Sequence, residues 1–161
     1  MKAIVAVYDD WGIGCNGTQP VAVSADRKFF RSTTAGAAVI VGRRTLEDFP
    51  GGRPLPKRLN IVLSRQNVRV EGALVAHTPQ EARDLAGGSD KVFVIGGGSV
   101  YRQMLPMCDE VYVTKVHATP PSDTFFPNLD ADPQWDCTQI LESGEEEGIR
   151  YEMCLYRRKE I

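Results

Sequence analysis

Three consecutive glycines, Gly96, Gly97 and Gly98, follow the apolar run Val92–Ile95. Glycine has no Cβ, so its backbone can turn sharply and approach a ligand closely. Residues 99–105 are typical of a helix that begins directly after this turn, and the unpaired N–H groups of a helix N-terminus attract phosphate. Taken alone, the segment fits better a tight strand-to-helix turn with no ligand. Other segments of the sequence are needed to show whether this turn binds phosphate.

A basic segment lies between Gly42 and Val70, inside a chain whose net charge is −2. It holds seven Lys or Arg residues and two acids, a local charge of +5. Such an excess suits a compact polyanionic ligand bound at one place. Any single one of these arginines is more simply a solvated surface residue.

Asp26 is the only acid in the stretch Val21–Phe30 and stands in the first turn of a predicted helix. Phe30 follows four residues later, so the carboxyl and the aromatic ring share a helix face. Burial there would raise the pKa of the carboxyl and make it a proton carrier near neutral pH. Without other signals, an acid that favours the helix dipole is the simpler interpretation.

Short apolar runs alternate with helix-like segments, which indicates an α/β fold. A strong helix start, Thr78-Pro79-Gln80-Glu81, combines an N-cap, a proline and a capping-box acid. We predict a single domain over residues 1–161 with a mixed, mostly parallel central sheet, a C-terminal antiparallel hairpin and helices on both faces. The predicted strands are Ala3–Tyr8, Ala37–Val41, Leu59–Leu63, Ala73–His77, Lys91–Ile95, Glu110–Val116, Trp135–Glu142 and Ile149–Arg157. Residues Ser143–Gly148 are the predicted hairpin loop, with glutamates that keep it soluble.

Ligands of open α/β sheets bind beyond the carboxyl ends of the strands. Gly42-Arg43-Arg44-Thr45, Ser64-Arg65 and the three glycines each follow a predicted strand. Two helix starts and an arginine at one edge suit a pyrophosphate and a further phosphate.

Composition limits the class of protein. With 161 residues, 42% of them hydrophobic, the chain suits one domain with a sizeable core, and we expect a monomer. No apolar stretch reaches membrane-spanning length and no signal peptide is evident, so we expect a cytoplasmic protein. The four cysteines show neither CxxC spacing nor neighbouring histidines, which predicts free thiols and no metal site. The net charge of −2 argues against a nucleic-acid partner.

Seven sequence blocks in this order resemble the dihydrofolate reductase family, and the resemblance covers essentially the whole chain. The blocks are Ile13-Gly14, Ser24–Phe30, Val41–Thr45, Gly52–Pro56, Arg58–Ser64, Val94–Tyr101 and Asp123–Pro127. The resemblance implies an enzyme that reduces 7,8-dihydrofolate to tetrahydrofolate with NADPH, in support of one-carbon metabolism and thymidylate synthesis. It also implies that antifolate inhibitors bind.

The resemblance assigns the substrate site. Asp26 would hold the pterin, with Thr114 supporting its carboxylate, and these two residues would be the catalytic pair. Arg58 would bind the α-carboxylate of the substrate's glutamate, because a planar guanidinium meets both oxygens. The complete set of implied substrate-binding residues is Ile4, Val5, Ala6, Asp26, Arg27, Phe30, Leu55, Arg58, Ile95, Tyr101 and Thr114.

The resemblance assigns the cofactor site as well. Arg65 is the candidate for the 2′-phosphate, and Gly96 and Gly97 match a family pair that is joined by a cis peptide. The implied cofactor-binding residues are Ala6, Ile13, Gly14, Asn16, Gly42, Arg43, Arg44, Thr45, Leu63, Ser64, Arg65, Ile95, Gly96, Gly97, Gly98, Ser99, Val100, Tyr101 and Thr124.

The chain departs from the family pattern at three positions. Val21 stands where many members have a tryptophan, Gln19 replaces a larger apolar residue, and Arg27 replaces an apolar contact of the aminobenzoyl group. By the resemblance, the loop Asp9–Val23 corresponds to the family's mobile lid over the nicotinamide. Because of Val21 and Gln19, the resemblance defines neither the closure of this lid nor the route of the proton to the pterin.

Three other functions compete with this interpretation. A reductase of the same fold that acts on a riboflavin-pathway pyrimidine would lack the set Asp26, Phe30 and Arg58. A nucleotide-binding regulator without catalysis has no need of Asp26. Binding of single-stranded RNA through the basic segment is disfavoured by the acidic balance and by the absence of interleaved aromatics.

Overall fold

The structure is a computed structural model that describes residues 1–15, 19–87 and 91–159. Ten strands are present in these ranges: β1 (Lys2–Val7), β2 (Gly12–Gly14), β3 (Ala38–Gly42), β4 (Leu59–Leu63), β5 (Ala73–Ala76), β6 (Val92–Gly96), β7 (Glu110–Val116), β8 (Thr124–Phe125), β9 (Trp135–Glu146) and β10 (Ile149–Arg158). Four α-helices join them: α1 (Ser24–Thr34), α2 (Arg43–Glu47), α3 (Pro79–Leu85) and α4 (Gly98–Met104). Short 3₁₀ turns lie at Pro50–Gly52, Leu105–Met107 and Leu129–Ala131.

Eight strands form one sheet in the order β5-β4-β3-β6-β1-β7-β10-β9. All pairs from β5 to β7 are parallel, and β10 is antiparallel to both β7 and β9. The predicted fold class is therefore confirmed. Strands β2 and β8 form a small separate pair that the sequence did not predict.

Helices cover both faces of the sheet. On one face, α1 and α2 pack against β-strand residues that include Ile4, Val39 and Phe93. On the other face, α3 and α4 pack against a cluster that includes Ala3, Val94 and Val113. This alternation along β1 and β6 follows from the two-residue period of a strand.

The carboxyl ends of β1, β3, β4, β6 and β7 lie at the same edge of the sheet because these strands are parallel. We call this the carboxyl edge. Helix α1 begins after the lid that follows β1, whereas the loop that contains Arg58 precedes β4 and lies at the opposite edge. The α1 face of the sheet is therefore spanned by a helix that connects the two edges.

The five predicted parallel strands before Gly96 are present, each displaced by one residue at most. The hairpin prediction was wrong in its loop. β9 continues to Glu146, and only Glu147 and Gly148 form the turn, with φ of 51° and 79°. These left-handed values are typical of a two-residue type I′ turn. Gly144 pairs with Tyr151, whose ring covers it, so a residue expected in a loop belongs to the strand.

Among the described residues, no helix is long and apolar enough to span a membrane. None of the four cysteines forms a disulfide bond, and two of them are buried.

The N-cap of α3 gives a test of the fold. The Thr78 hydroxyl accepts a hydrogen bond of 3.1 Å from the Glu81 N–H, as the sequence predicts. The Glu81 carboxylate bonds to the N–H of His77, one residue before the position that a capping box uses.

We expect Thr78→Ala to lower the free energy of unfolding by about 1 kcal/mol, because the Glu81 N–H loses its acceptor. Urea denaturation measures this, with Thr78→Ser as the control that keeps the oxygen; equal losses in both variants would contradict the assignment.

Candidate active site

Asp26 lies in the first turn of α1, and this turn is capped from a distance. Val23 at the N-cap has no side chain that caps the helix. Instead, the Glu146 carboxylate of the hairpin accepts bonds from the Ser24 N–H (2.6 Å), the Ser24 hydroxyl (2.7 Å) and the Ala25 N–H (3.3 Å). These contacts lower the pKa of Glu146. A glutamate that the sequence indicated as a solubilising residue thus fixes the start of the helix that carries Asp26.

The Asp26 carboxyl is partly buried, and its pKa is raised by desolvation. A hydrogen bond from the Thr114 hydroxyl and the charge of Arg27 act in the opposite direction but do not cancel the rise. Thr114 is only 2% exposed. The carboxyl is therefore oriented by a buried hydroxyl while its charged form is disfavoured.

Apolar side chains cover the face of the sheet on which α1 lies. Ile4 and Ile95 from the sheet belong to the same cluster as Phe30 from α1 and Leu55 from the loop before β4. Ala6 pairs directly with Thr114 across β1 and β7, which places it beside the carboxyl's hydroxyl partner. The structure thus brings together most of the predicted substrate residues on the α1 face.

Arg58 lies at the other end of α1. Its Nε donates to the Thr34 hydroxyl (2.9 Å), Nη1 to the Pro56 carbonyl (2.8 Å) and Nη2 to the Arg31 carbonyl (3.0 Å). Desolvation, followed by the charge of Arg31, lowers its pKa. Within the described ranges no acidic side chain forms an ion pair with it. The cation is therefore available to an anionic ligand.

Asn60 is a structural part of this site to which sequence reasoning assigned no role. Only 2% exposed, it accepts from the Leu55 N–H (3.0 Å) and donates to the carbonyls of Leu55 (2.9 Å) and Arg58 (3.1 Å). These bonds hold the loop that presents Leu55 and Arg58. The available signal was an amide inside an otherwise apolar strand, since a buried amide must find partners.

The glycine turn Gly96–Gly98 at the end of β6 packs closely against its neighbours at the carboxyl edge. Gly96 and Gly97 are joined by a cis peptide bond, which confirms that prediction. A Cβ on Gly97 would lie 2.9 Å from the Thr45 Oγ1, and one on Gly98 would lie 2.5 Å from the Thr124 Cγ2. A Cβ on Gly42 would meet Val100 at 3.0 Å. The predicted cofactor residues of β3, α2, β6 and α4 are therefore in direct contact.

Basic and hydroxyl side chains lie in the loops that follow the neighbouring strands β3 and β4. Arg43 donates to Gln66 (2.8 Å), which connects the loops after β3 and β4, and Arg44 and Arg65 are exposed. The Ser64 carbonyl lies 2.9 Å from the ring Nδ1 of His77, at the end of the next strand. His77 was not predicted for this site; its position directly after β5 was the signal.

Several predicted residues lie elsewhere. Val5 and Leu63 pack in the cluster on the other face of the sheet, where the partly buried Ile13 also packs. Tyr101 belongs to that cluster too, yet its hydroxyl reaches the Ile4 carbonyl at 2.7 Å, and burial together with the Asp26 charge raises its pKa. Ser99 is exposed and accepts from the Gln103 amide. The binding roles of these residues remain predictions.

The described part of the lid is attached to the body of the protein. The Tyr8 hydroxyl donates to the Val21 carbonyl (2.6 Å) and accepts from the Val21 N–H (3.0 Å). The Gly14 carbonyl accepts from the Asp123 N–H at 3.0 Å. The predicted cofactor residue Asn16 lies outside the described residues.

Comparison with known proteins agrees with this geometry. The family model described as dihydrofolate reductase matches residues 1–158. The chain belongs to the dihydrofolate reductase family. A dihydrofolate reductase of Haemophilus influenzae is 40% identical over 133 residues, 83% of this chain and 81% of the relative. One from Staphylococcus haemolyticus is 36% identical over 153 residues, 94% of this chain and 87% of the relative.

The fold of this chain is similar to that of a solved structure from the family. Dihydrofolate reductase from Enterococcus faecalis, complexed with NADP(H) and RAB-propyl, superposes with a TM-score of 0.87 at 34% identity. The match covers 99% of this chain and 96% of that one. The resemblance inferred from the seven sequence blocks is therefore confirmed for the family and for the fold.

The raised pKa of Asp26 predicts a stability effect with a defined sign. The folded chain binds the Asp26 proton more tightly than the unfolded chain, whose carboxyl has the ordinary value of 3.8. Ionised Asp26 therefore destabilises the fold above both pKa values. We expect Asp26→Asn to raise the free energy of unfolding at pH 7, and the gain to shrink as the pH falls and to vanish below about pH 3.8.

Chemical denaturation of both proteins across this pH range measures the effect. Asp84→Asn, which changes an exposed acid on α3, is the matched control and should show no comparable gain at pH 7. A less stable Asp26→Asn protein at pH 7 would contradict the desolvation of this carboxyl.

Proposed function

We propose that this chain reduces 7,8-dihydrofolate to 5,6,7,8-tetrahydrofolate with NADPH. The observation that carries this proposal is the Asp26 carboxyl, desolvated on an apolar face and bonded by the buried Thr114 hydroxyl. A dihydropterin presents a 2-amino group and a neighbouring ring N–H along one edge. One carboxylate accepts both hydrogen bonds, and its two oxygens suit such paired donors.

The remaining contacts of the α1 face fit an extended substrate. Phe30, Ile4 and Ile95 are apolar surfaces for the flat ring system, with Leu55 further along the cluster. Arg58 lies beyond them with no acidic partner among the described side chains, which suits the α-carboxylate of the glutamate tail. Asp26 and Thr34 are eight residues apart, so the two ends of this surface are separated by about 12 Å along α1.

Asp26 is placed to retain a proton rather than to deliver it directly. Its raised pKa keeps a larger protonated fraction near neutral pH than an exposed aspartate has. A carboxyl that holds the 2-amino edge does not reach N5, so the proton travels to N5 through water or through the pterin itself. Val21, which the Tyr8 hydroxyl fixes through two bonds, replaces a tryptophan of the family in the lid that covers this path.

The carboxyl edge of the sheet suits a dinucleotide. Thr45 and Thr124 occupy the space beside Gly97 and Gly98, so a side chain at either glycine would displace them from this turn. Arg43, Arg44 and Arg65, with the hydroxyls of Thr45 and Ser64, supply the donors that phosphate groups require. Bound NADPH would supply the hydride for C6. Arg65 is our candidate for the 2′-phosphate.

We further propose a monomeric enzyme of the cytoplasm that also binds antifolate inhibitors. The five larger exposed apolar side chains of the described residues lie in three places: Leu59 and Leu74 at one end of the sheet, Ile140 and Leu141 at the other, and Phe125 on β8. With this distribution, the described residues form no single large apolar patch.

Loss of the carboxyl tests the proposed reaction. We expect Asp26→Asn to reduce the rate of NADPH oxidation with dihydrofolate at pH 7 by at least about a hundredfold, because an amide carries no titratable proton. Absorbance at ~340 nm, the NADPH band, follows the reaction. Asp84→Asn is the matched control and should retain the wild-type rate; equal rates for wild type and Asp26→Asn would exclude Asp26 from the reaction.

Loss of one arginine tests the cofactor assignment. We expect Arg65→Ala to reduce the preference for NADPH over NADH, measured as the ratio of kcat/KM values, by about tenfold to a hundredfold, the range for hydrogen bonds to charged groups. Arg69→Ala removes an exposed arginine four residues further along and should leave the ratio unchanged. An unaltered ratio in Arg65→Ala would refute the role of Arg65.

A further inference from the structure

His117 connects three separate parts of the fold. It follows strand β7 directly, and its imidazole ring lies between two carboxylates. Its Nδ1 is 3.0 Å from the Asp9 Oδ1, and its Nε2 is 2.8 Å from the Glu152 Oε1. Asp9 is the first residue of the lid, whereas Glu152 lies within strand β10. These three side chains, which we call the histidine bridge, join the start of the lid to the sheet.

The histidine bridge is complete only when the imidazole is protonated. A neutral imidazole carries one N–H group and one lone pair, whereas the imidazolium carries two N–H groups. Carboxylates at both ring nitrogens therefore accept two hydrogen bonds only from the charged ring. The bond to Glu152, followed by the bond to Asp9, raises the pKa of His117 above the ordinary value of 6.5, although desolvation acts in the opposite direction.

The neighbouring lysine is directed to another acid. Lys115 stands two residues before His117 on β7 and opposite Glu152 on β10. Its Nζ lies 2.8 Å from an Asp130 carboxylate oxygen and 5.7 Å from the centre of the Trp11 ring. Lys115 is therefore not the cation that binds the lid.

The remaining charged and titratable groups lie beside the histidine bridge. Arg150 and Tyr151 of β10 line the small cavity next to His117. Asp10, the next residue of the lid, accepts a hydrogen bond of 2.9 Å from the Gly12 N–H. Across residues 1–15, 19–87 and 91–159, the side-chain partners of the imidazole ring are the two acids of the bridge. The charge of this ring therefore decides whether the bridge is intact.

Loss of the proton affects the two contacts unequally. The Glu152 contact is the shorter one, and the Glu152 side chain is 35% exposed, compared with 49% for Asp9. A neutral ring keeps its single N–H on this shorter and better shielded contact, which turns the lone pair of Nδ1 toward the Asp9 carboxylate. Because two lone pairs repel each other, the Asp9 contact is lost. The Asp9 N–H, bonded to the Ala118 carbonyl at 3.1 Å, then remains between the two loops.

We propose that the histidine bridge is a proton-dependent attachment of the lid: with both ring nitrogens protonated, His117 binds the first lid residue to β10, and after loss of one proton it releases Asp9. This attachment concerns the lid alone and does not depend on the proposed reaction. Since the pKa of His117 is raised in the folded chain, the attachment is complete below pH 6.5 and is lost as the pH rises through that pKa.

Amide hydrogen exchange of the full chain, followed by NMR, tests the attachment. The Asp9 N–H exchanges when its bond to the Ala118 carbonyl breaks, and the histidine bridge opposes this separation. We expect its protection factor, which corrects for the intrinsic pH dependence of exchange, to fall about twofold to fivefold from about pH 5.5 to about pH 8, the range for an exposed ion pair. The Ala82 N–H of α3, bonded to the Thr78 carbonyl at 3.0 Å, is the reference and should keep its protection.

Four variants set the charges of the histidine bridge or leave them unchanged. His117→Gln has no titratable proton and should show the low protection at both pH values. His117→Arg keeps a cation with donors for both carboxylates and should show the high protection at both. Asp9→Asn removes the lid carboxylate and should abolish the pH dependence. Glu142→Gln, the matched control, removes an exposed acid of β9 and should retain it.

Titration of the imidazole itself is the second measurement. The chain has two histidines, so the ring signals of His117 are assigned with His77→Gln. Asp9→Asn and Glu152→Gln should each lower the pKa of His117 from its wild-type value, because each removes an acceptor of the charged ring.

The two measurements together support or refute the attachment. A pKa of His117 at or below 6.5 that neither variant changes would refute the histidine bridge itself. A raised pKa with a pH-independent protection factor at Asp9 would show that the bridge forms without holding the lid, and would refute the proposal. An equal fall of protection in wild type and His117→Arg would assign the pH dependence to another group. A fall confined to wild type and Glu142→Gln supports the proposal.

Discussion

The candidate site depends on one face of helix α1. Asp26, Phe30 and Thr34 follow one another at four-residue spacing, so all three lie on the same face of the helix, toward the sheet. Asp26 contacts the buried Thr114 hydroxyl at the carboxyl edge, and Thr34 contacts Arg58 at the opposite edge. Phe30 packs in the apolar cluster between them. A helix that shifted along its axis or rotated would lose the acid, the ring and the arginine contact together, which is why its first turn is fixed by Glu146.

Buried polar side chains show where this arrangement departs from ordinary core packing. Among the described residues, Thr34, Asn60 and Thr114 are the buried polar side chains, and each contacts a charged site residue or the loop that holds it. A buried polar group destabilises a fold unless it is hydrogen-bonded, and no described buried side-chain donor or acceptor lacks a partner. The desolvated Asp26 carboxyl differs from these side chains, because its ionised form lowers the free energy of unfolding. Stability is thus lost at the residue on which the proposed chemistry depends.

The sequence predicted the sheet, the helices on both faces and the family, because strand runs, glycines and helix starts are local signals. The positions of Asp26, Phe30 and Ile95 on one face followed from their periodicity and from the resemblance. Long-range contacts could not be predicted: nothing local in Glu146 indicates that it caps a helix 122 residues earlier in the chain. Asn60 and Thr34 appear as ordinary members of a strand and a helix until the fold places Arg58 between them. The side chain of Val5 lies on the other face of the sheet, because neighbouring strand residues face opposite sides, and its assignment to the substrate site stays a prediction.

A crystal structure of the chain with folate and NADP⁺ bound would show directly whether Asp26 holds the pterin. We expect both Asp26 oxygens to lie about 2.7–3.0 Å from the 2-amino group and the adjacent ring nitrogen of the pterin. We also expect the glutamate α-carboxylate to lie on the Arg58 guanidinium, with the Thr34 contact still in place. A pterin bound away from α1, with the Asp26 carboxyl turned to solvent, would contradict this role of Asp26.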